Sequence, residues 1–258
     1  MTYAAILLFG KNPQKFFAQA ETRCARFKGT EPLEFIDMKI FRGTIIDQRD
    51  DAVGFVKEHI KLSAKIVGTE RVEQWEYPIE AIREAITNAI CHRDYDTTSN
   101  IQVRIFDDRI EFWGCGRLPE PLTINDLKKK HRSIPRNRLI ADNFFLIKYI
   151  EQWGTGTNRI IDQCRTYDLP EPIFEEIAGD LVVTFRKYHV TENIMKELPE
   201  RQKKIVEFMQ KHKKITRKEC IEILGLVRAT ANRELSELQR KKLILKIEKG
   251  KHTHYVLI

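Results

Sequence analysis

The clearest hydrophobic pattern in the chain lies between residues 77 and 92. Isoleucines recur there at spacings of three and four, at Ile79, Ile82, Ile86 and Ile90. This period predicts a helix with one apolar face, and Pro78 suits its first turn. On the other face, Glu84 and Asn88 lie one turn apart among alanines that leave room near the backbone. A carboxylate followed by a carboxamide at this spacing can hold a water molecule and a hard cation.

Shorter patterns precede this helix. The apolar run Ala4–Phe9, closed by Gly10, predicts a buried strand, and residues 22–27 predict a second strand. Residues 46–60 carry apolar positions at helical spacing and predict a helix. None of these segments presents a pattern of catalytic or ligand-binding residues.

The segments after residue 92 alternate between strand and helix patterns. Residues 100–106 and 109–113 alternate apolar with polar positions around Asp107 and Asp108, which predicts a β-hairpin. Residues 139–150 predict a helix and residues 180–186 a closing strand. The mixture predicts an α+β domain over residues 1–187.

A different pattern begins after residues 188–199, which we interpret as a linker. Residues 200–211 predict an amphipathic helix, and Thr216 with Glu219 forms a capping box for a second helix. Residues 227–240 predict a third helix, which two strand-like runs follow. Three helices and a terminal hairpin predict a winged helix-turn-helix domain over residues 200–258.

The net charge is confined to this last part of the chain. Residues 192–258 carry 17 Lys and Arg against 9 Asp and Glu, whereas the residues before them carry 28 of each. A basic domain attached to a neutral one predicts a polyanionic partner, although a solvated basic face is the alternative. The five cysteines lack paired spacing and no apolar run reaches the length of a membrane helix, so we expect a cytoplasmic protein without a membrane partner.

A glycine turn, Gly154-Thr155-Gly156, directly precedes a predicted helix. Glycines that open a helix allow backbone N–H groups to face phosphate oxygens, although an isolated Gly-x-Gly is more often a simple turn. The segment 128–138 contains seven Lys, Arg or His side chains that could neutralise a triphosphate. A solvated loop explains the same composition.

These motifs together resemble a known family. They are Glu84-x-x-x-Asn88-Ala on a helix, His92-Arg-Asp-Tyr95, Gly116-Arg-Leu-Pro119, Pro135-Arg-Asn137 and Glu151-Gln-Trp-Gly-Thr-Gly156. In this order they resemble the GHKL-like (HATPase) domain of RecG-related transcriptional regulators, which have a C-terminal winged helix-turn-helix. In that family an upstream Schlafen/AlbA-like domain usually precedes this segment.

The resemblance implies a GHKL-like α/β sandwich, with helices on one face of a mixed sheet, that binds ATP and Mg²⁺. It implies that Glu84 is catalytic, that Asn88 holds Mg²⁺, and that five further residues contact the nucleotide: Gly116, Arg136, Gly154, Thr155 and Gly156. Gly114 stands where GHKL proteins keep an aspartate for the adenine amino group. The loss of that acceptor weakens the expectation of adenine selectivity.

The predicted third helix and hairpin carry candidate contacts to double-stranded DNA. These are Arg228, Thr230, Asn232 and Arg233 on the helix, and Lys249 and Lys251 on the hairpin turn. We expect a transcriptional regulator in which nucleotide binding tunes DNA binding. The alternatives are an ATPase that acts on DNA and a degenerate scaffold that forms a homodimer without hydrolysing nucleotide. A helicase motor does not fit, because the chain lacks a Gly-x-x-x-x-Gly-Lys-Ser/Thr loop.

Overall fold

The computed structural model describes residues 2–67, 70–129, 131–151, 154–167, 169–187, 192–212, 214–225, 227–241, 243–247 and 253–257. The chain divides into two compact units, an N-terminal unit (Met1–Arg186) and a C-terminal unit (Lys187–Ile258). In the described parts of the chain, no helix is long and apolar enough to cross a membrane.

The N-terminal unit contains a six-stranded mixed sheet. Its strands are β1 (Thr22–Phe27), β2 (Phe35–Phe41), β5 (Ile101–Ile105), β6 (Arg109–Trp113), β7 (Ile173–Ile177) and β8 (Asp180–Arg186), in the spatial order β2-β1-β5-β6-β8-β7. Strands β1 and β5 are parallel, and the other neighbouring pairs are antiparallel. A separate antiparallel hairpin consists of β3 (Leu62–Val67) and β4 (Glu70–Trp75).

Helices cover one face of this sheet. They are α1 (Tyr3–Phe9), α2 (Ile45–His59), α3 (Ile79–Cys91), α4 (Arg138–Leu146) and α5 (Gly156–Thr166). Their buried apolar residues form one core with alternate residues of the strands, such as Val103, Phe112 and Phe185. The mixed sheet with helices on one face agrees with the predicted α+β class, and the hairpin β5–β6 is confirmed.

The prediction of a strand at Ala4–Phe9 was wrong, because this run is helix α1. The hydroxyl of Thr2 accepts a hydrogen bond from the backbone N–H of Ala5 and so caps the helix. Ala4, Leu7 and Leu8 are buried at the spacing of one helical face. A continuous apolar run fits a strand and a buried helix equally well, and the cap decides between them.

The C-terminal unit has its own core. It contains helices α6 (Glu192–Glu197), α7 (Glu200–His212), α8 (Arg217–Leu224) and α9 (Arg228–Arg240), and a small antiparallel sheet of β9 (Lys214–Ile215), β10 (Ile244–Ile247) and β11 (His254–Leu257) in the order β10-β11-β9. The capping box of Thr216 and Glu219 is confirmed at the start of α8. Helix α6 lies in the range predicted as a linker, and Leu198 just after it is buried in this core.

Candidate functional site

One cavity of about 120 Å³ lies in the N-terminal unit between α3, the start of α5 and the strands β6 and β8. Its polar lining comes from segments distant in sequence: Glu84, Asn88 and His92 from α3, Gly114–Gly116 after β6, His131 and Ser133 from the basic segment, and Gly154, Gly156 and Thr157 at the start of α5. Its apolar lining includes Phe112, Leu181 and Val183. The fold therefore brings the predicted motifs together around one space.

Glu84 and Asn88 form a hydrogen-bonded pair inside this cavity. Nδ2 of Asn88 donates to Oε1 of Glu84 at 3.1 Å. Burial raises the pKa of the Glu84 carboxyl group, and the Asn88 hydrogen bond and the charge of Arg159 only partly oppose this. The pair uses the amide nitrogen of Asn88, and within the described ranges no side chain or backbone group donates to its Oδ1 oxygen, which can therefore bind another ligand.

The glycine turn approaches this pair closely. A Cβ atom on residue 156 would overlap Oε1 of Glu84 and would lie 3.5 Å from Nδ2 of Asn88. Residue 154 has a φ of +67°, and a Cβ atom there would overlap the carbonyl oxygen of His131. Both glycines are thus required by close approach, and the backbone at the start of α5 lies directly against the Glu84 carboxylate.

The basic segment 128–138 is also in contact with the glycine turn. His131 Nε2 lies 3.2 Å from the Thr157 hydroxyl, and Nδ2 of Asn158 donates to the carbonyl of Lys129 at 3.0 Å. Lys128 forms an ion pair with Glu171 at 2.7 Å. The first residues of this segment, Lys129 and His131, therefore contact the start of α5. Lys128 does not line the cavity.

Not every predicted nucleotide contact lines the cavity. Gly116 does, and its N–H donates to Oδ1 of Asp180 at 3.0 Å. Thr155 lies next to the lining glycines, and its hydroxyl donates to Glu151 at 3.3 Å. Arg136 is outside the lining and donates to Asp94 and to the carbonyl oxygens of His92 and Arg117. The structure thus gives Arg136 partners that belong to the frame of the site.

Two of the motifs hold the end of α3 in place. The amide of Asn137 donates to the carbonyls of Cys91 and Arg93 at 2.9 and 2.7 Å. Arg93 is only 1% exposed and donates to the sulfur of Cys115 at 2.9 Å, while the N–H of Asp94 donates to the Cys115 carbonyl at 2.8 Å. Residues 92–95 and 135–137 therefore fix the last turn of α3 against the Gly114–Gly116 turn.

Two cavity residues, His92 and Glu151, were not picked out from the sequence. Burial, with a smaller effect of the Arg136 and His131 charges, lowers the pKa of His92 to about 4, so its ring is neutral near pH 7. Glu151 forms an ion pair with Arg159 at 2.9 Å and keeps that cation beside the start of α5. Both residues stood inside the motifs quoted above, but only the fold shows that they line the cavity.

The donors for a metal ion are few. Among the described residues there is no group of three or more His, Cys, Asp or Glu side chains able to hold a metal ion by themselves. Glu84 and Asn88 offer two oxygen-bearing side chains, which suits a cation that takes its remaining oxygen ligands from water and phosphate. Mg²⁺ bound together with a nucleotide fits this donor set.

The C-terminal unit has a second candidate surface on α9. Arg228 and Arg233 are exposed and Thr230 and Asn232 half-buried, whereas Ala231, Leu235 and Leu238 form the buried face of the helix. Val227 begins the helix without a side-chain cap. Lys249 and Lys251 lie outside the described residues.

Comparisons with known proteins support the interpretation of the N-terminal unit. Residues 98–185 match a family described as "Putative ATP-dependent DNA helicase recG C-terminal", a HATPase-like domain. The matched range contains the Gly114–Gly116 turn, the basic segment and the glycine turn at residues 154–156, and it begins after α3. This part of the chain is therefore similar to a RecG-related HATPase-like domain, which suggests that it binds ATP.

Comparison of structures finds the same fold in another protein. The crystal structure of the DIP2311 protein from Corynebacterium diphtheriae superposes with a TM-score of 0.61 at 19% identity, over 99% of this chain and 54% of that one. At this identity the likeness shows the fold alone, and the chain spans about half the length of that protein. No curated protein sequence matches the chain.

Proposed function

We propose that the chain is a DNA-binding regulator whose N-terminal unit binds Mg-ATP and whose C-terminal unit binds duplex DNA. The observation that carries the nucleotide part is the contact between α3 and α5. Gly156 packs on the Glu84–Asn88 pair, although more than 60 residues separate them in sequence. A carboxylate, an amide oxygen and a helix start in one cavity match the needs of a phosphate chain with a hard cation.

The residues present fit the phosphate end of a nucleotide. Gly154 and Gly156 keep the start of α5 free of Cβ atoms, so backbone N–H groups and the positive end of the helix dipole can face phosphate oxygens. His131 and Arg159 lie beside this helix start and supply hydrogen-bond donors for phosphate oxygens. When bound, Mg²⁺ would neutralise phosphate charge through Oδ1 of Asn88.

Glu84 has the properties of a general base for hydrolysis. Its raised pKa, caused by burial, makes the carboxylate a stronger proton acceptor than an exposed glutamate. The hydrogen bond from Asn88 fixes one carboxylate oxygen at 3.1 Å and leaves the other for a water molecule. We assign to Glu84 the orientation and deprotonation of an attacking water.

Thermal denaturation with and without Mg-ATP tests nucleotide binding. A ligand at 100 times its dissociation constant adds about 2.7 kcal/mol to the free energy of unfolding. We expect a matching rise in melting temperature with Mg-ATP and a smaller one with ATP in EDTA. A chain whose melting temperature is unchanged at millimolar Mg-ATP would contradict the proposal.

Two variants of the pair separate binding from hydrolysis. Glu84→Ala should bind ATP but release no phosphate, whereas Asn88→Ala should weaken binding only in the presence of Mg²⁺. Glu80→Ala, an exposed site on the same helix, is the matched control. If both site variants bind and hydrolyse ATP like the parent chain, the assigned roles are wrong.

The proposed DNA contacts rest on α9 and on the basic charge of the C-terminal unit. Three helices with a small antiparallel sheet suit a winged helix-turn-helix, in which the early residues of the third helix read base edges in the major groove. Arg228 and Arg233 are exposed there and can donate hydrogen bonds to the acceptor atoms of guanine. The amide of Asn232 can pair with the donor and acceptor of adenine. Lys249 and Lys251 remain predicted backbone contacts.

A fluorescence anisotropy titration of the chain against a random duplex library and selected sites, over a salt series, tests this part. If α9 contacts bases, the affinity should depend on the DNA sequence. Lys249→Ala or Lys251→Ala should weaken binding to all sequences equally, and should lower the slope of log affinity against log salt concentration by about one unit. Absence of binding even at low salt would remove DNA from the proposal.

One observation favours a second candidate, a nucleotide-responsive scaffold that does not select adenine. Residue 114 is a glycine and has no side chain to accept from a base amino group. A Cβ atom there would make only ordinary contacts, the nearest at 3.4 Å to the Leu181 carbonyl oxygen. Comparing the thermal shift with ATP, GTP and CTP decides between the two. Equal shifts favour the scaffold, and a larger shift with ATP favours the regulator that responds to ATP.

A further inference from the structure

Strand β2 is an edge of the six-stranded sheet, and within the described ranges it pairs on one side only, with β1. Its apolar residues are exposed rather than covered: Ile36 is 58%, Met38 52% and Ile40 41% exposed. Such an edge presents unpaired backbone N–H and C=O groups to any strand that can align with it. Edges of this kind are usually protected by a helix, a proline or a dense row of charges.

The two faces of β2 have different chemistry. Asp37 and Lys39 point towards α2, because Oδ2 of Asp37 lies 3.2 Å from His59 and Nζ of Lys39 lies 2.8 Å from Glu58. Ile36, Met38 and Ile40 alternate with them and lie on the face away from the helices. That face also carries a small buried cluster formed by Ala25, Phe27 and Phe106.

We propose that β2 pairs antiparallel with β2 of a second copy of this chain, on a two-fold axis that passes through Met38. In this register Asp37 of each copy lies opposite Lys39 of the other, on the helix side of the sheet. Ile36 lies opposite Ile40 and Met38 opposite Met38, on the other side. Opposite charges and apolar pairs directly across an antiparallel ladder both stabilise it.

The charges select this register over its neighbours. An axis at Asp37 places Asp37 opposite Asp37, and an axis at Lys39 places Lys39 opposite Lys39, both of which are repulsive. An axis at Ile36 places Met38 opposite Glu34, and an axis at Ile40 places it opposite Arg42. Only the axis at Met38 pairs every residue from Ile36 to Ile40 with a residue of opposite charge or with another apolar residue.

The resulting interface is closed, because a two-fold axis uses the same patch on both copies and leaves no unpaired edge on this strand. The sheets of the two copies become continuous through β2. The cavity between α3 and α5 contributes no residue to this interface, so dimer formation and nucleotide binding are tested separately.

Light scattering coupled to gel filtration tests the proposal on the whole chain. We expect a concentration-dependent species of twice the 30.4 kDa monomer mass. Met38→Lys places two ammonium groups on the axis and should weaken dimerisation at least tenfold. Leu146→Lys, at another exposed apolar side chain (75% exposed), should leave the dimer unchanged.

A charge experiment tests the register. Asp37→Lys alone puts the introduced lysine opposite Lys39 in both cross-strand pairs, and Lys39→Asp alone puts the introduced aspartate opposite Asp37 in both pairs. Each variant alone should therefore be monomeric. Mixed in equal amounts, the two variants place lysine opposite aspartate in both pairs and should form a heterodimer. Circular dichroism of each variant alone is the control that tests whether it is folded.

A cross-link provides an independent measurement. All five native cysteines are buried, so Met38→Cys adds an accessible thiol. Residues directly opposite in an antiparallel pair have Cα atoms about 4.5–5.5 Å apart, a separation that a disulfide can span. We expect this variant to cross-link to a dimer on mild oxidation, and Leu146→Cys to do so far less. A monomeric parent chain at high concentration, a dimer that survives Met38→Lys, or a mixture that stays monomeric would each overturn the proposal.

Discussion

The cavity of the N-terminal unit and the α9 surface of the C-terminal unit differ in how they present charge. In the cavity, one partly buried carboxylate lies against a helix start, and its pKa is raised because burial disfavours the charged form. On α9, Arg228 and Arg233 lie on the exposed face of the helix, where no such burial disfavours their charge. If the proposed function is correct, the cavity selects its ligand by shape, whereas the α9 surface attracts a polyanion by charge.

We therefore expect substitutions in the cavity to change ligand binding by changing the shape of the site, and substitutions on α9 to change DNA binding by removing charge. Gly156→Ala should have the largest effect, because its Cβ overlaps the Glu84 carboxylate. It should abolish the stabilisation by Mg-ATP, about 2.7 kcal/mol under the saturating conditions above. Thermal denaturation with and without Mg-ATP measures this.

Gly54→Ala is the control for that variant. Gly54 lies inside α2 with no atom within 4 Å of a Cβ atom built there, so alanine should be neutral or stabilising by about 0.5–1 kcal/mol. If Gly156→Ala responds to Mg-ATP like Gly54→Ala, the start of α5 does not contact phosphate.

On α9, Arg233→Ala should weaken binding of a preferred DNA site by about 2 kcal/mol and relax the preference at one base pair. Anisotropy titrations on matched and singly mismatched duplexes measure both effects. Arg165→Ala removes the same charge from an exposed site of the N-terminal unit and should change neither. A uniform loss on all sequences would assign Arg233 to the DNA backbone instead.

Glu84→Gln should raise the free energy of unfolding at pH 7 by about 1 kcal/mol, because a neutral amide avoids burial of a charge. The sign follows from the raised pKa: the stability that the protonated group retains in acid is lost as the pH rises through the folded-state pKa. The gain from Glu84→Gln should therefore shrink as the pH falls towards 4.5, the ordinary pKa of a glutamate. Chemical denaturation of the parent chain and of Glu84→Gln at several pH values measures this. A gain that stays constant down to pH 4.5 would contradict the prediction.

Gly114→Asp should have the smallest effect on stability and a specific effect on base preference. A Cβ atom at this position lies 3.4 Å from the Leu181 carbonyl oxygen and 3.7 Å from Cα of Ala89, both ordinary contacts. The new acceptor should favour ATP over GTP by about 1 kcal/mol. Competition binding measures the ratio of ATP affinity to GTP affinity, with Gly114→Ala as the control. Equal ratios in both variants would show that the nucleotide base does not lie beside residue 114.

Sequence patterns predicted most of the elements because the relevant signals are local. The isoleucine period of α3, the alternation of β5 and β6, and the capping box of Thr216 and Glu219 each lie within a dozen residues. The pattern failed at α1, where a six-residue apolar run carries no period and the hydroxyl of Thr2 decides for helix. It also missed α6, which is short and polar.

The sequence by itself determined the Glu84–Asn88 spacing, the glycine turn and the separation of a neutral part from a basic part, because each is a property of neighbouring residues. Only the tertiary structure decided that Gly156 lies on Glu84, that Asn137 and Arg93 fix the end of α3, and that Arg136 belongs to this frame. It also decided that β2 is an exposed edge of the six-stranded sheet. These contacts join residues tens of positions apart, and their geometry follows from the order of strands in the sheet, which no local pattern encodes.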